Sequence, residues 1–391
     1  MTAPARVVVV GASIGGLTAA ETLRQEGFDG EIILLGDESH LPYTRPPLSK
    51  QILLGEWTPE EAAIRTTAEL DDLRIDVRTG CAAIGLDVDA RVLQTSDGPL
   101  PFDELVIATG TEPRTHPLLT DAPTLRTLEH SVQLRERLQT ARRIAVVGSG
   151  ILGSEIASAA RKHDAETLLL GRSGSLGFGG VGRLLTDRLS SLHEDHGVEL
   201  ALRADITAAT PATGGGTELT VDGTTRSFDL VVVVIGGTPR TRWLDGSSLD
   251  LSDGVACDRA GAAAPGVWAV GDVAAWADPV TGEHVRVEHQ SNAIEQAIAV
   301  ASRLTHGAES PQPVPFFWSE IHGTRINAYG WFDAQHPLID TTTDADAKGA
   351  VLESRDAAGH LRGVVGWNAS PRDFRTARTA VVTSAPPVPQ P

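Results

Sequence analysis

Arg143-Ile-Ala-Val-Val-Gly148-Ser-Gly150-Ile-Leu-Gly153 is a short apolar, partly β-branched run that ends in a turn carrying three glycines. A run of that length and composition reads as a strand buried on both faces of a parallel sheet. In the turn after it, the first glycine permits the tight bend and the second lets the backbone approach a pyrophosphate. The third lets the next helix pack closely on the strand. The pyrophosphate is expected over Ile151 to Ser154, where the free N–H groups of a helix start favour an anion. The spacing predicts a helix over 153–163 and then a second strand, Glu166-Thr-Leu-Leu-Leu-Gly171.

The same grammar occurs earlier. Arg6-Val-Val-Val-Val-Gly11-Ala-Ser13-Ile-Gly15-Gly16 precedes a helical pattern over 15–27 and a strand, Glu31-Ile-Ile-Leu-Leu-Gly36-Asp37; its first glycine lies 137 residues before Gly148. Ser13 replaces the middle glycine, with a side chain small enough for the turn and a hydroxyl suited to phosphate. Asp37 stands where a carboxylate takes the ribose hydroxyls of an adenosine. In the later unit that place holds Gly171, followed by Arg172 and Ser173. Loss of the carboxylate removes repulsion against a 2′-phosphate and arginine can pair with one, while a solvated turn residue is the plainer reading of Arg172.

Runs ending at Gly110 and Gly236 close the two units, and Val267-Trp-Ala-Val-Gly271-Asp272 returns the chain to the first. The expected fold class is α/β, with two Rossmann-like dinucleotide-binding domains and a small α+β C-terminal domain. The expected boundaries are 1–115 with 246–312 for the first domain, which is discontinuous, 116–245 for the second and 313–384 for the third. A proline-rich hinge is expected over 311–315, and a disordered tail over 385–391.

A formal charge of −18 on 391 residues argues against nucleic acid, whose phosphates need a positive field. The only cysteines, Cys81 and Cys257, form no C-x-x-C pair, so neither a redox disulfide nor a metal site is expected, and a reducing compartment suits them. The longest apolar run, 230–235, is of strand length; the expectation is no membrane and a cytoplasmic location. Nothing in the sequence specifies an oligomeric state.

Three more segments carry a family likeness: Leu41-Pro-Tyr43-Thr-Arg45-Pro-Pro47-Leu-Ser49-Lys50, Gly271-Asp272-Val273, and Val287-Glu288-His289-Gln290-Ser-Asn292-Ala-Ile-Glu295-Gln296. With the two glycine turns, the chain resembles the FAD-dependent ferredoxin reductases of the putidaredoxin reductase and aromatic-ring dioxygenase type, from residue 6 to at least 330. The resemblance implies FAD in the first unit and NADH or NADPH in the second. It assigns to FAD Gly11, Ser13, Gly15, Gly16, Asp37, Arg45, Lys50, Cys81, Gly110, Arg126, Asp272 and Gln290. To the nicotinamide nucleotide it assigns Gly148, Gly150, Ile151, Leu152, Gly153, Glu155, Arg172 and Gly236.

Individual roles follow from the likeness. Lys50 stands near the flavin ring with Arg45 steadying its segment, which Pro46 and Pro47 would keep extended. Asp272 bonds the ribityl chain, Arg126 reaches FAD across the domain crossover, and Cys81 packs beside the adenine. Glu155 and Glu288 face the nicotinamide. Trp318, in Phe316-Phe-Trp318-Ser319-Glu320, lies beside the flavin where electrons leave.

The implied activity takes a hydride from NAD(P)H onto FAD and passes single electrons to a two-iron ferredoxin serving a monooxygenase or a ring-hydroxylating oxygenase. An acidic ferredoxin needs a local basic patch, for which Arg372, Arg375, Arg378, Arg45 and Lys50 are the candidates. Two alternatives share the motifs: an NAD(P)H oxidase or small-molecule reductase on the same fold, and a non-catalytic flavin-binding interaction protein.

Overall fold

The computed structural model describes residues 5–178, 182–278, 281–307, 313–342 and 349–384. Val7 to Val10 are all buried because the strand Arg6–Val10 has a neighbour on each side and no wet face. It pairs in parallel with Glu31–Leu35 and with Glu104–Ile107. The full sheet runs Ala262–Ala264, Val267–Ala269, Glu104–Ile107, Arg6–Val10, Glu31–Leu35, Ile75–Arg78, so two strands come from far along the chain. The helix Ile14–Gln25 packs against the later helix Gln290–His306. It starts one residue earlier than the spacing predicts and stops before Gly27, whose positive φ of 87° no helix continues.

The second sheet is wholly parallel, in the order Val198–Leu202, Glu166–Gly171, Arg143–Val147, Leu230–Val233. In both sheets the strand that enters the glycine turn sits where the order reverses, which opens a crevice beyond its C-terminal end. The helix after the second turn is Ile151–Lys162, again starting earlier than expected, because the turn itself supplies the first helical residues.

Two antiparallel meanders, Ala83–Asp87 with Val92–Thr95 and Gly98–Pro101, and Ile206–Pro211 with Thr217–Val221 and Thr224–Phe228, decorate the two domains. The chain crosses between them where Thr111–Pro113 pairs with Gly237–Pro239. The C-terminal domain is a five-stranded antiparallel sheet, Phe316–Ile321, Thr324–Gly330, Leu361–Trp367, Ala350–Arg355, Ile339–Asp340, backed by the helix Pro371–Ser384. These parts make an α/β protein of two Rossmann-like dinucleotide-binding domains, the first assembled from separated stretches, with a small α+β domain at the end.

One buried apolar cluster runs through the junction: Leu48, Ile52 and Leu53 pack with Leu134, Ile156 and Ile321. Contacts from three domains therefore meet in a single close-packed core, which holds the crevice walls rigid. One local expectation fails. Pro46–Ser49 is a 3₁₀ turn, not an extended segment, because a fixed proline φ suits the first residues of a helical turn. Residues 311 and 312 of the expected hinge, and the tail 385–391, lie outside the described residues.

Candidate functional site

A cavity of about 570 Å³ opens beyond the first glycine turn, and a second of about 100 Å³ adjoins it. They share Ser13, Arg45, Ala108 and Thr109, so together they form one long trench from Asp37 and Cys81 to Glu155 and Trp318.

The turn is built for close approach. Gly11 has φ +115°, and a Cβ there would stand 2.2 Å from the Ala108 carbonyl across the crevice; a Cβ on Gly16 would stand 2.1 Å from the Gly11 carbonyl. The later turn repeats this, Gly148 against Val234 at 2.2 Å and Gly153 against Gly148 at 1.8 Å. The middle position is less demanding. Ser13 sits at φ −117°, open to any residue, and its hydroxyl makes no bond to the helix it caps. Gly15 lines the trench, and a Cβ there would find the protein only at ordinary contact distance, 3.6 Å, so its bareness serves the trench. His289 also lines the trench, with a buried Nδ1 that has no hydrogen-bond partner among the described residues. Burial holds its imidazole below the usual pKa, against the opposing charge of Glu288. A glycine cradle, a free hydroxyl, an orphaned ring nitrogen and flanking arginines fit a dinucleotide such as FAD.

At the narrow end Asp37 pairs with Arg240 at 2.6 Å. Burial raises the Asp37 carboxyl, but the hydrogen bond and charge of Arg240 outweigh it and leave the group below the usual carboxylate range. Cys81 is buried beside it, with its N–H donated to the Gly36 carbonyl at 2.9 Å. Arg45 donates to Glu38 at 2.7 Å and to the Arg126 carbonyl at 2.5 Å, which ties its segment to the crossover.

Midway, Arg126 approaches Asp272 at 3.5 Å. Burial, and then the charge of Arg45, hold the Arg126 guanidinium below its usual pKa. The Asp272 loop is fixed from behind: the Gly271 N–H donates to Gln296 at 2.8 Å and Arg286 donates to the Asp272 carbonyl at 3.0 Å. Arg286 also binds Glu288 at 2.5 Å. Gly110 lines this stretch with φ +67°, where a Cβ would press on the Arg126 guanidinium at 3.0 Å. Gln290 starts its helix at the trench wall.

At the wide end Glu155, 6% exposed, receives three bonds. Ser49 and Ser319 donate to it at 2.5 Å each and Lys50 at 2.8 Å. Ser49 and Lys50 come from one segment of the first domain and Ser319 from the C-terminal sheet, so the carboxylate is the node where the domains close. The Lys50 ammonium also lies 5.1 Å from the centre of the Trp318 ring, which is 44% exposed at the trench mouth.

The trench thus gathers Gly11, Ser13, Gly15, Asp37, Arg45, Lys50, Cys81, Gly110, Arg126, Leu152, Glu155, Asp272, Glu288, Gln290 and Trp318. Gly16 packs behind it. Gly148, Gly150, Ile151, Gly153, Arg172 and Gly236 line neither cavity, although Leu152 and Glu155 of the same helix do. Arg45 and Lys50 do not belong to a basic docking surface. Their side chains are 25% and 13% exposed and are neutralised by Glu38 and Glu155. Arg372, Arg375 and Arg378 are all exposed, and of the three Arg378 lies with its guanidinium 4.5 Å from the centre of the Tyr329 ring. Sequence reasoning missed Ser49, Ser319, His289 and Arg240. Ser49, His289 and Ser319 stand in segments whose motifs drew attention, and nothing local marks Arg240.

The sequence profile of the pyridine nucleotide-disulphide oxidoreductases matches residues 5–297. The ferredoxin reductase component of chlorobenzene dioxygenase from Cupriavidus sp. (strain PS12) is 34% identical over 387 residues, 97% of this chain and 93% of its own. The ferredoxin–NAD(+) reductase component of the biphenyl dioxygenase system from Paraburkholderia xenovorans (strain LB400) is 33% identical over 388 residues, 96% and 93% of the two chains. Putidaredoxin reductase, solved in covalent complex with putidaredoxin, superposes with a TM-score of 0.91 at 26% identity, covering 98% of this chain and 94% of that one. The two cysteines here are buried and unpaired, and burial pushes the Cys257 thiol up to about 12. The chain belongs to the pyridine nucleotide-disulphide oxidoreductase family, within its FAD-dependent NAD(P)H:ferredoxin reductases.

Proposed function

We propose that the protein moves electrons from NAD(P)H through FAD, one at a time, to a two-iron ferredoxin that serves a monooxygenase or a ring-hydroxylating oxygenase. The observation that carries this reading is the node of Glu155, Lys50 and Trp318. A buried ion pair inside the trench leads directly to a half-exposed indole at its mouth. The reading divides the chain into 1–115 with 246–312 for FAD, 116–245 for the nicotinamide nucleotide and 313–384 for the partner-facing domain.

Bound FAD supplies the chemistry of accepting electrons in pairs and releasing them singly. The chain's own residues position and polarise. Ser13 and the N–H groups of the first turn receive the pyrophosphate, Asp37 the adenosine ribose and Asp272 the ribityl hydroxyls. Lys50 places a fixed positive charge where negative charge would accumulate, and Glu155 aims that ammonium while Ser49 and Ser319 aim Glu155. The later glycine turn holds the nicotinamide nucleotide, with Glu155 and Glu288 on the wall it would face. Trp318 covers the exit, and Arg372 and Arg375 offer exposed positive charge to an acidic partner.

The test is anaerobic reduction of cytochrome c by NADH or NADPH, with and without an added two-iron ferredoxin. A strong dependence on ferredoxin supports the reading. No stimulation by ferredoxin, with fast oxygen consumption in a parallel aerobic assay, would point instead to an oxidase.

A further inference from the structure

The two nucleotide turns differ at the end of the strand that follows them. Glu31–Leu35 leads into Gly36 and Asp37, whereas Glu166–Gly171 leads into Arg172 and Ser173. Gly171 is closed to any side chain, because a Cβ there would stand 2.2 Å from the Ser149 Oγ and 2.5 Å from its Cβ. Ser149 is not free to withdraw. It lies inside the glycine turn, its hydroxyl donates to the Ser175 carbonyl at 3.0 Å and stands 3.5 Å from the Ser173 hydroxyl. The protein therefore fills with serine the place from which a carboxylate would reach an adenosine ribose.

A second arginine joins this rim. Arg203 follows the neighbouring strand Val198–Leu202, and its N–H donates to the Ser173 carbonyl at 3.2 Å. Its φ of +60° is left-handed, a conformation that a non-glycine residue keeps where its surroundings fix it. Gly174 makes room for its guanidinium, since a Cβ there would stand 2.4 Å from the Arg203 Nε. Arg172 and Arg203 are both exposed, and among the described residues neither has a carboxylate partner. The two guanidinium groups, at the ends of adjacent strands, put positive charge on this rim in a chain of net charge −18.

We propose that Arg172 and Arg203, with the Ser173 hydroxyl, form a subsite for a phosphate monoester on the adenosine ribose, so that the protein takes NADPH in preference to NADH. This rests on reading the second turn as the nicotinamide nucleotide site. Arginine suits the task because its planar fork meets a phosphate with two donors, and no carboxylate stands at 171 to repel the dianion. The biphenyl dioxygenase relative, whose name carries NAD(+), would differ from this chain in that subsite.

Calorimetric titration of the FAD-loaded protein with 2′,5′-ADP and with 5′-ADP tests it. The expected result is tighter binding of 2′,5′-ADP, by about ten- to a hundredfold for charge-assisted contacts, with most of the preference lost in Arg172→Ala and in Arg203→Ala. Arg203→Lys should restore part of it. Equal affinities in the unaltered protein would overturn the subsite while leaving the nucleotide site in place, and a preference that survives both alanine variants would overturn the assignment to these arginines. Failure of both ligands to bind would remove the nucleotide reading of the second turn itself.

Discussion

Glu155 has no spare bonding capacity that a neutral side chain could match, since two hydroxyls and an ammonium converge on it. Glu155→Ala strands Lys50 as a nearly buried charge and should cost about 3 kcal/mol of stability in denaturant unfolding. Glu155→Gln keeps the shape but not the charge. It should fold, and should slow flavin bleaching by NAD(P)H about tenfold or more in stopped flow. If the glutamine variant reduces as fast as the parent, the carboxylate only braces the structure. At the other end of the trench, Asp37→Ala removes a charged acceptor from the proposed adenosine site. Flavin retention on dialysis should weaken by about tenfold or more, because a hydrogen bond to a charged group contributes about 1.5–3 kcal/mol. These two sites were not equally legible. Asp37 announces itself by its distance from the first glycine turn, but Arg240 and Ser319 reach their carboxylates from 203 and 164 residues away, and no local pattern carries such pairings.

At the scale of elements, the helix Gly182–Asp195 meets the hairpin between Phe316–Ile321 and Thr324–Gly330 through histidines. The His193 Nδ1 lies 3.1 Å from the His322 Nε2, and the His196 ring stacks on His322 with centres 4.2 Å apart. Burial holds His193 down to about 4 and His322 to about 3, with the neighbouring histidines, Arg161 and Lys162 adding to the effect on His322. Both folded values lie below the ordinary 6.5, so the folded state binds fewer protons than the unfolded state between those limits. The stabilisation is fully present above pH 6.5 and is lost as pH falls toward 4. The melting temperature should drop over that range, and His322→Asn, which tolerates the left-handed backbone at φ +49°, should flatten the drop. An unchanged pH profile in that variant would remove the histidine contact from the account. The strands buried on two faces were readable from their apolar runs. The meander over 206–228 was not, because its exposed faces carry polar residues and its best signal is the two-residue turn Asp222-Gly223, with φ +48° and +80°.

For the whole molecule, a net charge of −18 repels an acidic ferredoxin at long range, while Arg372 and Arg375 offer attraction close in. Salt separates the two effects, because the screening length is about 8 Å at physiological strength and shorter above it. If the arginines form the docking face, ferredoxin-dependent reduction should slow as salt rises, and Arg372→Glu with Arg375→Glu should raise the ferredoxin concentration needed for half-maximal rate. Acceleration by salt would mean that net repulsion dominates and that the docking face lies elsewhere. The architecture was legible because two glycine turns punctuate it and one later strand shares their grammar. The closing of three domains on one carboxylate was not, because it depends on packing between segments that sequence order keeps apart.

The most direct measurement is an anaerobic titration of the purified, FAD-loaded protein with NADH and separately with NADPH, followed by addition of an oxidised two-iron ferredoxin. The account predicts that a stoichiometric amount of nicotinamide nucleotide bleaches the flavin absorbance and that ferredoxin restores it, about two ferredoxins being reduced per flavin. A flavin that stays yellow under excess of both nucleotides, or one that bleaches but is not reoxidised by ferredoxin, would contradict it.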